Sequence, residues 1–309
     1  MHSRRGPGVA PARFGRGHDR VEVLGVNTTA AIVDCSGLVH IYRTSQLEVV
    51  ALQGLDLNIR AGELVAIVGA SGSGKTTLMN VLAAVDRPSA GHAIVAGYNL
   101  NDLTDGDRDV YRRDAVGYVW QSAGRNFLPE LNVEENLQLA TLASGKSRSD
   151  RLNRAGELLR DFGLEPRRRH LPRLLPGGDQ RLLAVAIALA NRPKLLLADE
   201  PTAGLDRDTG ASVLRHLGQV RDREGTTIVF VTHERRAEQY VDRVIRIRDG
   251  RTSTETRAEV GERVIVDRAG RLQLPKHLIN EVGLGGLARV RRQGDGILIS
   301  PAHDEDRDG

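Results

Sequence analysis

The apolar residues of this chain fall into short unbroken runs separated by amphipathic stretches. LVAIV at Leu64–Val68, LLLA at 195–198 and TTIVFVT at 226–232 are each too short for a helix and lack polar alternation. Such runs predict strands buried on both faces of a mostly parallel sheet. Stretches with helical spacing lie between them, notably 75–85 and 180–190. Strand and helix alternating in this way predict a layered α/β domain. No run reaches the roughly 18 apolar residues needed to span a bilayer, so any membrane part is expected on another chain.

The pattern divides the chain into five segments. Residues 1–34 form a basic Arg/Gly/Pro-rich lead, expected to be disordered; it has no apolar centre and does not read as a secretory signal. The α/β pattern occupies 35–250, and 251–260 is a polar linker. A compact β-rich unit is expected over 261–301, followed by an acidic tail at 302–309. Within that unit, 263–266 and 271–275 read as strands around a turn. A short helix (276–282) and two further strands (288–292 and 296–300) follow. No internal repeat is present.

Composition changes this picture little. The 309 residues are 40% hydrophobic and 27% charged, as in ordinary soluble proteins. The net charge of +4 is carried almost wholly by arginine, since Lys75, Lys146, Lys194 and Lys276 are the only lysines; spread over this length it is a weak nucleic-acid footprint. The single cysteine, Cys35, excludes an internal disulfide, fits a reducing cytoplasm and reads as a small buried hydrophobe. His40, His92, His277 and His303 lack metal-ligand spacing. The run Arg167-Arg168-Arg169-His170 reads as a solvated helix end rather than a nucleic-acid patch.

Chemistry enters with the segment after Leu64–Val68. Gly69-Ala70-Ser71-Gly72-Ser73-Gly74-Lys75-Thr76-Thr77 matches G-x-x-x-x-G-K-[ST] between a strand and a helix. Its glycines let successive backbone N–H groups point into one concavity, and the helix N-terminus adds its positive dipole end. Lys75 is expected to reach the β- and γ-phosphates of a nucleotide, and Thr76 to ligate Mg²⁺. The strand at 195–198 ends in Asp199-Glu200. A carboxylate pair capping a buried strand suits metal binding by Asp199 and orientation of an attacking water by Glu200.

Taken together, these motifs resemble the ABC ATPase family over most of residues 37–250. Asp199-Glu200-Pro201-Thr202-Ala203-Gly204-Leu205-Asp206 is similar to the family's Walker B and D-loop. Val231-Thr232-His233-Glu234 is similar to its H-loop, which implies that His233 contacts the γ-phosphate. Gln121 resembles the Q-loop glutamine that approaches Mg²⁺ and relays to a permease, and Tyr42 stands where the family stacks an aromatic on adenine. The implied fold is a P-loop ATPase with a mostly parallel sheet core, an antiparallel β subdomain and a helical signature subdomain. The implied action is closure of two such domains, as a homodimer or heterodimer, over two Mg-ATP.

One motif departs from the family pattern of Leu-Ser-Gly-Gly-Gln/Glu: here Leu175-Pro176-Gly177-Gly178-Asp179. The family's serine donates a hydrogen bond to the γ-phosphate held by the partner, and Pro176 has neither hydroxyl nor N–H. Gly177, Gly178 and the helix N-terminus still offer backbone donors. Loss of one charge-assisted bond weakens closure by about 1.5–3 kcal/mol, so slow turnover is expected.

The segments around 48–54, 87–91 and 126–136 resemble the lipoprotein-releasing and macrolide-export branch, which implies a cytoplasmic motor held against the membrane by a permease subunit. The 261–301 unit resembles the AbrB-type swapped hairpin, notably over Val266-Asp267-Arg268-Ala269-Gly270-Arg271-Leu272-Gln273-Leu274-Pro275. It implies either dimerisation, the favoured reading, or DNA binding. The alternative function is therefore a soluble or regulatory ABC ATPase that reaches DNA through this unit. The cargo does not follow from the resemblance.

Overall fold

The computed structural model describes residues 31–43, 47–142, 145–257, 261–266, 270–285, 288–294 and 296–301. Two long strands open the chain, β1 (Ala31–Arg43) and β2 (Glu48–Arg60), which pair antiparallel. β3 (Leu64–Val68) is the first fully buried strand and runs through the phosphate-loop segment into α1 (Lys75–Leu82). β4 (Ala90–Val95) and β5 (Tyr98–Asn99) then complete an antiparallel sheet in the order β2-β1-β4-β5. α2 (Asp105–Asp114) starts at a reciprocal Thr104–Asp107 capping box and leads into β6 (Val116–Val119).

A helical layer follows, of α3 (Val133–Ala140), α4 (Arg148–Asp161) and α5 (Gly177–Ala188). β7 (Leu195–Asp199), α6 (Arg207–Glu224), β8 (Thr227–Val231) and β9 (Arg243–Arg248) finish the layered domain. Strands β9-β3-β8-β7-β6 are neighbours in that order and all parallel. Alternate residues of this sheet feed two cores. Val65, Ile67, Leu195, Leu197, Val229 and Val231 pack with β1, β2, β4 and α1. Leu64, Ala66, Leu196, Ala198, Ile228 and Phe230 pack against α3 to α6. This two-faced burial is why the runs contain no polar alternation.

The domain boundaries differ from expectation at both ends. Ile32 and Val33, inside the expected lead, already belong to the core as part of β1, while residues 1–30 and 302–309, with most of that lead and the expected acidic tail, lie outside the described residues. The expected linker is instead largely a strand, β10 (Arg251–Arg257), and β11 (Gly261–Val264) pairs with it. Both extend the parallel sheet antiparallel beyond β9. Thr252, Thr254 and Thr256 explain the miss: they are β-branched but polar, so a strand with buried Ser253 and Thr254 reads as a linker by hydropathy.

The expected strand at 271–275 contributes only a bridge between Val266 and Leu272. α7 (Lys276–Glu281) and a two-stranded hairpin, β12 (Ala288–Gln293) with β13 (Gly296–Pro301), end the described chain. Gln273, Leu274, Pro275 and Lys276 face the outer side of the phosphate loop across a cavity of about 350 Å³. No described helix is long and apolar enough to cross a membrane.

Candidate active site

The predicted residues gather at the carboxyl ends of four neighbouring parallel strands, where ligands bind in open α/β sheets. The Gly69–Thr77 segment leaves β3, His233 lies two residues beyond β8, Asp199 ends β7 with Glu200 after it, and Gln121 follows β6 by two. With strands about 4.8 Å apart, this row extends roughly 14 Å, the scale of a nucleoside triphosphate.

The phosphate-loop segment turns tightly around α1. Gly74 has φ 99°, and a Cβ there would lie 2.6 Å from the Ala51 carbonyl. A Cβ on Gly69 would collide with the Ile247 carbonyl. Lys75 is buried and donates its Nζ to the carbonyls of Gly69 (3.0 Å) and Ala70 (2.7 Å). Burial pulls its pKa down, against the opposing attraction of Glu200 and Asp199. The ammonium thus sits between loop and carboxylates.

Asp199 is buried, and desolvation raises its pKa above the usual carboxylate value. A hydrogen bond with the Thr76 side chain opposes that rise, and the Glu200 charge adds to it. Glu200 has φ 51°, a left-handed conformation that a residue with a Cβ adopts only when its surroundings hold it there. Its backbone N–H donates to the Val231 carbonyl at 3.0 Å. Its side chain is gripped from both sides: Gln121 Nε2 donates to Oε2 at 3.1 Å, and His233 Nδ1 lies 3.0 Å from Oε1. An ionised carboxylate only accepts, so His233 presents Nδ1–H to it.

Tyr42 lies on the rim at the end of β1, 40% exposed, with its hydroxyl donating to Asp86 (3.0 Å) and its ring edge-on to His40. Pro176, Gly177 and Gly178 stand elsewhere, at the start of α5. Pro176 occupies the N-cap without a side-chain hydrogen bond. Gly178 lets α5 approach α6, because a Cβ there would lie 2.6 Å from Thr209 Cγ2. Asp179, in the first turn, is paired with Arg167, and Arg168 pairs with Glu134. The basic run before the signature is therefore tied to α5 and α3, and is not merely a solvated end. Asp206 of the D-loop-like segment caps α6 through Asp208 and Thr209.

Comparison with known proteins decides the family. A family model described as ABC transporter matches residues 52–203. The lipoprotein-releasing system ATP-binding protein LolD of Chromohalobacter salexigens is 38% identical over 224 residues, 72% of this chain and 94% of that protein. This chain belongs to the ABC transporter ATP-binding family. The macrolide export ATP-binding/permease protein MacB of Rhodopirellula baltica is 40% identical over 73% of this chain, which spans only 33% of that relative's length. Among solved structures, the ATP-binding cassette MJ0796, described as a dimer in a post-hydrolysis state bound to ADP and Pi, is 34% identical. It aligns with a TM-score of 0.67 over 73% of this chain and 98% of its own.

The P-loop ABC ATPase fold is the one the motifs implied. Two residues at the site escaped sequence reasoning. Asp86 anchors the Tyr42 hydroxyl, and no motif marks it. Arg181 on α5 reaches the backbone of Trp120 and Gln121. The one visible signal was a basic residue opening the apolar stretch Leu182-Leu183-Ala184-Val185-Ala186.

Proposed function

We propose that this chain is the ATP-hydrolysing motor of a transport system, working as half of a head-to-tail pair on a membrane permease and so peripheral on the cytoplasmic face. The observation that carries the reading is Glu200, held between Gln121 and His233 at the end of β7 and beside the phosphate loop. Lys75, the loop N–H groups and Thr76 hold the phosphates, and Tyr42 offers its ring to the adenine. Glu200 orients water and takes its proton as the water oxygen bonds to the γ-phosphorus and the bond to the β,γ-bridging oxygen breaks. His233 meets the γ-phosphate. Pro176, Gly177 and Gly178 face the nucleotide of the partner domain.

The donor set fits Mg²⁺. The Thr76 hydroxyl, which holds the Asp199 pKa down against desolvation, the Asp199 carboxylate and the Gln121 amide oxygen would supply a hard oxygen set of the kind that completes its shell with water and phosphate. Bound there, the ion would neutralise charge developing on the phosphates. A permease is supported by an apolar groove between α3 and α4, shortly after Gln121, lined by Leu131, Leu139, Leu142 and Leu152. The relatives named for lipoprotein release and macrolide export make an export or release system the nearest class.

The C-terminal unit is read as an AbrB-like dimerisation element. Its hairpin leaves Val290 63% and Ile297 74% exposed, and an isolated two-stranded hairpin is marginal without a partner surface. Steady-state ATP turnover of the purified chain beside Glu200→Gln, at several protein concentrations, tests the whole reading. Wild-type turnover that disappears in the variant supports it, and its concentration dependence reports how tightly the chain dimerises before nucleotide binds. Equal, near-zero rates in both, even with permease present, would remove it.

A further inference from the structure

Arg181 lies just over one turn into α5, the helix that begins at the signature. It is 7% exposed, and its Nη1 donates to two carbonyls on another element, those of Trp120 (3.1 Å) and Gln121 (3.0 Å). These residues follow β6, and the Gln121 side chain is the one that holds Glu200 Oε2. A chain of direct contacts therefore runs from the signature helix, through one guanidinium, to the Gln121 backbone and on to Glu200.

We propose that Arg181 is a positioning residue of the hydrolytic site: it fixes the Trp120–Gln121 backbone to the signature helix and so sets where Gln121 holds Glu200. The inference rests on the hydrolytic reading of Glu200 given above. Two features support it. The N–H groups of Nη1 lie in the fixed plane of the guanidinium, so one side chain pins the loop in position as well as attracting it. Two adjacent carbonyls sharing one donor nitrogen leave the loop little freedom to slide independently of α5. The consequence is mechanical. A displacement of α5, whose N-terminal Pro176–Gly178 would face the partner's nucleotide, is delivered to Gln121 within the same subunit. Through this contact, occupancy of one composite site positions the water-orienting carboxylate of the other.

Trp120, the only tryptophan in the chain, reports on this contact directly. Its carbonyl accepts from Arg181, and Arg125 stacks on its ring at 3.8 Å. The experiment uses the full chain and compares wild type, Arg181→Gln and Arg181→Lys by nucleotide affinity, turnover, and the Trp120 emission change on adding Mg²⁺ with a non-hydrolysable ATP analogue. Arg181→Gln is expected to lower kcat about tenfold or more while nucleotide Kd stays within about twofold, because the phosphate loop is untouched. The Trp120 response should be largely lost in that variant and partly restored in Arg181→Lys, which keeps the charge and N–H donors but on a shorter side chain without the fixed planar geometry. A kcat for Arg181→Gln within about threefold of wild type, or an unchanged Trp120 response, overturns the proposal. If the glutamine variant does not fold, Arg181→Lys decides alone: wild-type kcat and emission response in it sink the idea. Failure of the hydrolytic reading itself would look different, as no turnover in the wild type.

Discussion

At the scale of single residues, Lys75, Asp199, Glu200, Gln121 and His233 lie together at the strand ends, and the departure from the family pattern lies at Pro176, on the segment proposed to meet the partner. Pro176 removes one donor from the signature, yet it leaves the α5 N-terminus intact, with Gln180 N–H bonding to the Pro176 carbonyl at 3.0 Å. Pro176→Ser should therefore raise turnover without refolding anything. A restored charge-assisted bond of about 1.5–3 kcal/mol predicts an increase in kcat/KM of about tenfold or more, read in steady-state assays at fixed protein concentration. No increase would mean that the backbone donors of Gly177 and Gly178 already suffice. The rim gives a second prediction. Tyr42→Ala should weaken ATP binding by about 1–3 kcal/mol if the ring is the adenine platform, whereas Tyr42→Phe should stay close to wild type because its bond to Asp86 lies at the surface. Nucleotide titration of the two variants separates the roles. The residues that gather at the strand ends were legible because phosphate chemistry demands residue types at fixed spacing. Arg181 and Asp86 were not, because their work is contact with another segment, which no local pattern records.

At the scale of elements, one arginine joins three helices. Arg154 of α4 is buried and makes a two-pronged pair with Glu224 near the end of α6, both contacts at 2.9 Å. It also donates to the Leu189 (2.8 Å) and Ala190 (3.3 Å) carbonyls that close α5. Removing one member of a buried pair strands the other, so Arg154→Met should cost about 3–5 kcal/mol. In a domain of this size that lowers Tm by roughly 10 °C, measured by thermal melting at neutral pH. Adding Glu224→Leu should recover much of the loss.

The same pair has a pH signature. Burial pushes the Glu224 carboxyl up, but the hydrogen bonds and charges of Arg154 and Arg223 outweigh it and hold the group below its ordinary value. A depressed carboxylate contributes stability that is present above the unfolded pKa, near 4.3, and is lost as pH falls through the lower folded value. The wild type should thus lose more stability than Arg154→Met on acidification below about pH 4.5, and a pH series of melts checks the sign. Arg154 was not legible in the sequence, since a buried arginine on an otherwise polar helix looks like any exposed one. The central strands were, because burial on both faces leaves no choice but an unbroken apolar run. β10 failed the same test for the opposite reason: its inward residues are threonine and serine, whose hydroxyls hide a strand from hydropathy.

At the scale of the whole molecule, the chain after β9 is continuous with the ATPase sheet. β10 and β11 add to its edge, the 273–276 segment reaches the outer side of the phosphate loop, and only then does the β12–β13 hairpin extend outward. A hairpin with exposed Val290 and Ile297 needs a cover, and a second copy supplies an identical surface under two-fold symmetry. If that is its role, two subunits are tethered before nucleotide binds, and closure over ATP becomes nearly intramolecular. Tethering at an effective concentration in the millimolar range would offset the bond missing at Pro176. Ile297→Asp places a charge in the middle of the proposed contact, on a residue the ATPase core does not use. Sedimentation of the nucleotide-free chain should then show monomer where the wild type shows dimer. Turnover of the variant should become steeply concentration-dependent, with kcat at saturating protein unchanged. The basic residues of the unit, among them Arg271, Arg289, Arg291 and Arg292, supply the competing reading. A DNA affinity that falls steeply with salt, in a chain that stays monomeric, would assign the hairpin to nucleic acid instead.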